Sequence, residues 1–160
     1  MLPIRTILFG TDFSTHSDHA FALASALARD YMARLVIAHV REIPVAAYGE
    51  FGAAPPVVED IDEANARLFA LKPVGVEIEA DHMLASGVPA TELLQLADKH
   101  NADLIVVSSH GRTGLARLLM GSVAEQVVRG AKCPVLVVKQ PLAERTPTPV
   151  ATEVPEPVAV

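Results

Sequence analysis

The chain contains one cysteine, no long run of lysine or arginine, and no uninterrupted apolar stretch of about 18 residues. A lone Cys133 excludes an internal disulfide framework and a multi-cysteine zinc site, and fits a reducing compartment. A net charge of −6 without a basic block argues against nucleic acid or an anionic membrane surface as the main partner. The opening "MLPIRTILFG" lacks a basic segment followed by a long apolar stretch and a small-residue cleavage site. The expectation is a soluble, unprocessed protein of the cytoplasm.

What the chain does have is apolar residues, 51% of 160. That is enough for one sizeable core and short of what two independent domains need. "IRTILFG" and "ARLVIAHV" read as strands around "STHSDHAFALASALARDY", in which Ala20, Leu23, Ala24, Leu27, Ala28 and Tyr31 recur at helical spacing. Ser14 or Thr15 is placed to cap that helix, with a start near Ser17. "REIPVAAYGEFGAAPP" breaks both periods and reads as a loop. A helix over Val57 to Leu71 follows, then a half-exposed strand in "VGVEIEADHM". "SGVPATELLQLADKH" has Pro89 at a first helical turn and Leu93, Leu94 and Ala97 on one side. "ADLIVVSS" and "CPVLVVK" are continuous apolar runs, as in strands covered on both faces, with a helix from about Ser122 to Ala131 between them.

This strict alternation of strand and helix predicts an α/β fold, a Rossmann-like three-layer sandwich on a five-stranded parallel sheet; the expected strand order, which alternation alone does not fix, is 3-2-1-4-5. The domain should span residues 1–140. Residues 141–160 are proline-rich and poor in large apolar groups, the composition of a disordered tail.

In such a sheet, ligands bind beyond the carboxyl ends of the strands, where neighbouring connections leave in opposite directions. Two segments compete for that place. One is "GTDFS", with Gly10, Thr11 and Asp12: glycine lets a ligand approach the backbone, and the carboxylate accepts from sugar hydroxyls. The other is "SSHGRTGLARLLMGS", from Ser108 to Ser122. Its glycines permit close backbone approach, and Ser109, Thr113 and Ser122 supply hydroxyls. Arg112 or Arg117 could neutralise phosphate, and "GS" opens a helix whose free N–H groups attract anions.

Gly111, nine residues, then Gly121-Ser122 resemble the second part of the pattern G-x-x-G-(nine residues)-G-[S/T] of nucleotide-binding universal stress proteins. "ILFGTDFS" and "CPVLVVK" match that family in kind and position, so the resemblance covers about Ile4 to Lys139. It implies an adenine nucleotide, usually ATP, across the sheet, with Asp12 at the ribose and the end of the second strand near Val40 against adenine. Gly111, Gly121, Ser122 and Val123 would meet the phosphates; whether Mg2+ accompanies them stays open. It also implies a homodimer joined through Val135 to Val138. One departure stands out: Ser108 occupies the pattern's first glycine, adding a Cβ and a hydroxyl that either narrows the pocket or bonds the ligand.

Other residues have plainer readings. Asp12 could cap the following helix instead of meeting ribose. His16 and His19 lack a third metal ligand and suit a solvated helix face. His110 lies in the glycine loop with no evident nucleophile, which favours positioning over proton transfer. Glu59, Asp60, Asp62 and Glu63 read as an exposed helix surface. Cys133 reads as a small buried hydrophobe. The functional expectation is ATP binding in the cellular stress response, with turnover unsupported because no lysine-bearing Walker loop is present. A nucleotide-free structural or signalling dimer is the alternative. A small enzyme using His110 and Asp12 is a third.

Overall fold

A computed structural model describes residues 3–43, 59–73, 78–109 and 120–139. Among these, the chain runs β1 (Thr6–Thr11), α1 (Thr15–Tyr31), β2 (Arg34–Glu42), α2 (Ile61–Ala70), β3 (Ala80–Gly87), α3 (Pro89–Lys99), β4 (Leu104–Ser108), α4 (Ser122–Gly130) and β5 (Val135–Val138). Every strand pairing is parallel, as the alternation of elements predicts, and the order is the expected β3-β2-β1-β4-β5.

Period-two alternation splits each strand between two cores. Ile7, Phe9, Leu35, Ile37, Leu104 and Val106 pack against Ala20, Ala24 and Ala28 of α1 and Leu68 of α2. Their neighbours Leu8, Val36, Ala38, Ile105 and Val107 pack against Leu93 and Ala97 of α3 and Ala124 and Val127 of α4. Two helices therefore cover each face, which makes three layers. β5 closes one edge with all four residues only half-buried.

Local chemistry sets the element ends. Ser14 is the N-cap of α1, accepting from the Ser17 N–H, so the helix starts at Thr15 and not near Ser17. Its buried side is made of small residues, Ser17, Ala20, Ala24, Ser25 and Ala28; Leu23 and Tyr31 stay largely exposed. Asp60 caps α2 by accepting from the amides of Asp62 and Glu63. The helix is shorter than the expected 57–71, of which residues 57 and 58 lie outside the described set. α3 begins with Pro89, and α4 ends at Gly130, one residue before the expected limit.

β3 falls further along the chain than "VGVEIEADHM" suggested. It pairs with β2 rung for rung, from Leu35↔Ala80 to Glu42↔Gly87. The pairing partner, not the polar alternation upstream, decides where the strand lies. The expected loop began at Arg41, but Arg41 and Glu42 complete β2 as paired strand; residues 44–58, 74–77 and 140–160, with that loop from Pro44 on and the expected tail, lie outside the described residues.

At Gly10 the strand runs beneath α3. A Cβ there would stand 3.1 Å from both Leu93 methyls and 3.4 Å from Val107 Cγ1. The missing side chain thus admits α3, a packing role that differs from the ligand approach read from the sequence. Gly10→Val should destabilise the fold by about 1–3 kcal/mol through overpacking. Urea denaturation should show a lower midpoint, and adding Leu93→Ala should recover part of the loss. Strict additivity of the two losses would contradict this account.

Candidate functional site

Register brings distant residues to one level. Gly10 of β1 pairs with Ala38 of β2 on one side and Val107 of β4 on the other. Two residues beyond each of these come Asp12, Val40 and Ser109. After β1 the chain crosses to β2, whereas after β4 it crosses to β5, so the connections part between β1 and β4. That parting opens a crevice at the carboxyl edge of a parallel sheet.

Ser109 ties the second segment to this level. Its N–H donates to the Val138 carbonyl at 2.8 Å, and its own carbonyl accepts from the Gly121 N–H at 2.7 Å. Gly121 is the N-cap of α4 and offers no side chain to bond the first turn. The positive end of α4, at Ser122 and Val123, therefore stands beside β4 with no capping side chain. Ser109 is fully buried, and Ser108 shares the sheet phase of Leu104 and Val106, pointing to the α1 side.

The turn after β1 is built from side-chain hydrogen bonds. Asp12 Oδ1 accepts from the Ser14 N–H at 3.0 Å and from the Ser14 hydroxyl at 2.6 Å. Ser14, not Asp12, caps α1, so the plainer reading of Asp12 as the cap is set aside. Thr11 faces the opposite side: its Oγ1 accepts from the Phe13 N–H at 3.0 Å and lies 3.1 Å from Ser17 Oγ. Phe13 has φ 59, a left-handed conformation that bulky residues rarely adopt and that its surroundings must hold in place.

Those surroundings were not read from the sequence. His39 and Arg41 follow Leu35 and Ile37 in the same phase of β2, so both point inward and are buried. The phase of "LVIAHVR" is the signal that could have found them. His39 Nδ1 lies 2.7 Å from the Thr11 carbonyl oxygen and Nε2 2.9 Å from Glu59 Oε2. Arg41 donates to the Glu59 carbonyl from Nε at 2.9 Å, and to Ser86 Oγ from Nη1 at 3.2 Å. The Phe13 ring packs between the His39 ring, at 4.2 Å, and the Arg67 guanidinium, at 4.4 Å. Glu59 is thus mostly buried as the anchor of this cluster, not part of an exposed acidic surface; Asp60 serves as a cap.

His110, Gly111 and Arg112 lie outside the described residues, as do Thr113, Gly114 and Arg117. His19 is exposed, with Nδ1 2.8 Å from the Thr15 carbonyl. Among the described residues no group of three or more His, Cys, Asp or Glu could hold a metal ion, and no helix is long and apolar enough to cross a membrane. Burial pushes the Cys133 thiol up, reinforced by the carboxylates of Asp103 and Asp98 and opposed by a backbone hydrogen bond. A raised thiol is a poorer nucleophile at neutral pH.

With the crevice, the glycine-led α4 and the β1 turn in place, comparison with known proteins is decisive. The family model described as the universal stress protein family matches residues 3–139. The chain belongs to the universal stress protein family. A universal stress protein of Methanocaldococcus jannaschii is 37% identical over 88% of this chain and 85% of its own length. One from Thermus aquaticus is 38% identical over 84% of this chain and 98% of its own. A solved universal stress protein in complex with cAMP is 31% identical, with a TM-score of 0.58 over 86% of this chain and 98% of its own.

In this universal stress protein, Ser14 joins the cap of α1 to the Asp12 carboxylate. Ser14→Ala should cost about 0.5–2 kcal/mol, the usual loss for a cap of this kind. Thermal unfolding of the two proteins measures it. An unchanged Tm would mean that the cap and the Asp12 contact contribute nothing.

Proposed function

We propose that this universal stress protein binds ATP or another adenine nucleotide in the crevice between β1 and β4, and acts in the cellular stress response as a cytoplasmic homodimer. The observation that carries the reading is the common level of Asp12 and Ser109. It sets a carboxylate that can accept from ribose hydroxyls beside the uncapped start of α4, which attracts phosphate. The relative solved with cAMP supports an adenine nucleotide as the ligand class.

In the proposed arrangement Asp12 meets the ribose and Val40, at the end of β2, lies against adenine. Gly121, Ser122 and Val123 present amides and a hydroxyl to the phosphates. The reading also assigns Ser108, Ser109, His110, Gly111 and Arg112 to ligand contact, the last three from their place in the sequence alone, with Gly10 and Thr11 leading into the turn. Mg2+ would accompany a triphosphate as its counter-ion. Binding, not turnover, is the proposed activity. β5, half-buried at the sheet edge with an unbroken apolar sequence, Val135–Val138, is the proposed pairing edge of the dimer.

Ser108 motivates a second reading, a dimer of the same fold that takes no nucleotide. Calorimetric titration with Mg-ATP separates the two. Wild type should bind. Asp12→Ala should weaken binding by roughly tenfold, the worth of a charge-assisted hydrogen bond. Gly121→Val, which sets a branched side chain at the start of α4, should remove binding while leaving dimerisation intact. No heat of binding in wild type up to millimolar nucleotide would favour the second reading.

A further inference from the structure

His39 is 3% exposed, and both of its ring nitrogens face acceptors: the Thr11 carbonyl at Nδ1 and Glu59 Oε2 at Nε2. A carbonyl oxygen only accepts, so Nδ1 must carry a proton. A neutral imidazole of that tautomer would turn its Nε2 lone pair onto the Glu59 carboxylate, and two acceptors repel. The 2.9 Å contact becomes a hydrogen bond when one further proton sits between Nε2 and Oε2.

We infer that His39 and Glu59 are positioning residues for the nucleotide site. A proton shared between them fixes the imidazole, and Nδ1–H holds the Thr11 carbonyl and with it the turn that carries Asp12. This rests on the reading of Asp12 as a ligand contact. An ordinary satisfied core histidine would bond wherever an acceptor lay; this one bonds the residue before Asp12 and packs its ring on the residue after it. Phe13, left-handed at φ 59, is held by that ring on one side and by Arg67 on the other. Arg67 Nη1 in turn lies 3.8 Å from Glu59 Oε1, and Arg41 grips the Glu59 carbonyl.

Glu59→Gln replaces the carboxylate by an amide that can donate to the Nε2 lone pair of a neutral ring. That variant needs no extra proton to hold the ring, so it should bind the nucleotide as the wild type does.

The test titrates Mg-ATP against the full chain and its variants, alongside imidazole nitrogen NMR. Glu59→Gln should keep wild-type affinity. His39→Ala should bind about three- to tenfold more weakly, the worth of one hydrogen bond. His39→Asn, whose amide can stand where Nδ1 stood, should recover part of this, and His39→Gln should not. Neutral His39 should carry its proton on Nδ1, against the usual preference of imidazole for Nε2. Affinity lost in Glu59→Gln to the extent it is lost in His39→Ala, wild-type affinity in His39→Ala, or a neutral Nε2–H ring would each overturn the inference. If wild type binds no adenine nucleotide, the site reading fails by itself. The positioning role is then decided by amide exchange at Phe13 and Ser14: faster in His39→Ala supports it, unchanged overturns it.

Discussion

The hydrogen bond from the Gly121 N–H to the Ser109 carbonyl decides where α4 begins. It fastens the helix's positive end to the last rung of β4. The register of β4 against β1 then places that end at the level reached by Asp12. The bond costs little to make because Ser109 is already fixed: it is buried, and its N–H donates to Val138 of the edge strand.

A rigid floor supports this edge. The inward residues of β1, β2 and β4 are almost completely buried between two pairs of helices, so the three strand ends cannot slide relative to one another without breaking both cores. At their carboxyl edge the apolar pattern gives way to polar residues in the same phase, Thr11, His39 and Arg41. Buried polar groups are tolerated only when paired, and here each finds its partner in the turn after β1 or the entry to α2. The unfavourable backbone of Phe13 is absorbed at that same place.

The layer architecture was legible because apolar runs and helical periods alternate along the chain, although that alternation alone does not fix the strand order. The glycine-serine start of α4 and the aspartate after β1 stand out in the sequence as residue types suited to phosphate and ribose, and the register brings their segments to one level. Less visible was anything that depends on a partner distant in sequence. Glu59 sits in a run of acidic residues and reads as surface; only His39, twenty positions earlier, reveals it as an anchor. The packing of Gly10 against Leu93 of α3 is likewise invisible until α3 is in place. β3 was misplaced for the same reason: its limits are set by β2, not by its own alternation.

The central claim is that the edge between β1 and β4 grips an adenine nucleotide, and the most direct measurement is the small-molecule content of freshly purified protein, released by denaturation and identified by mass spectrometry. The account predicts an adenine nucleotide in the wild type that is lost from Gly121→Val. Wild-type protein that releases none, even after incubation with ATP and removal of the excess, would contradict it.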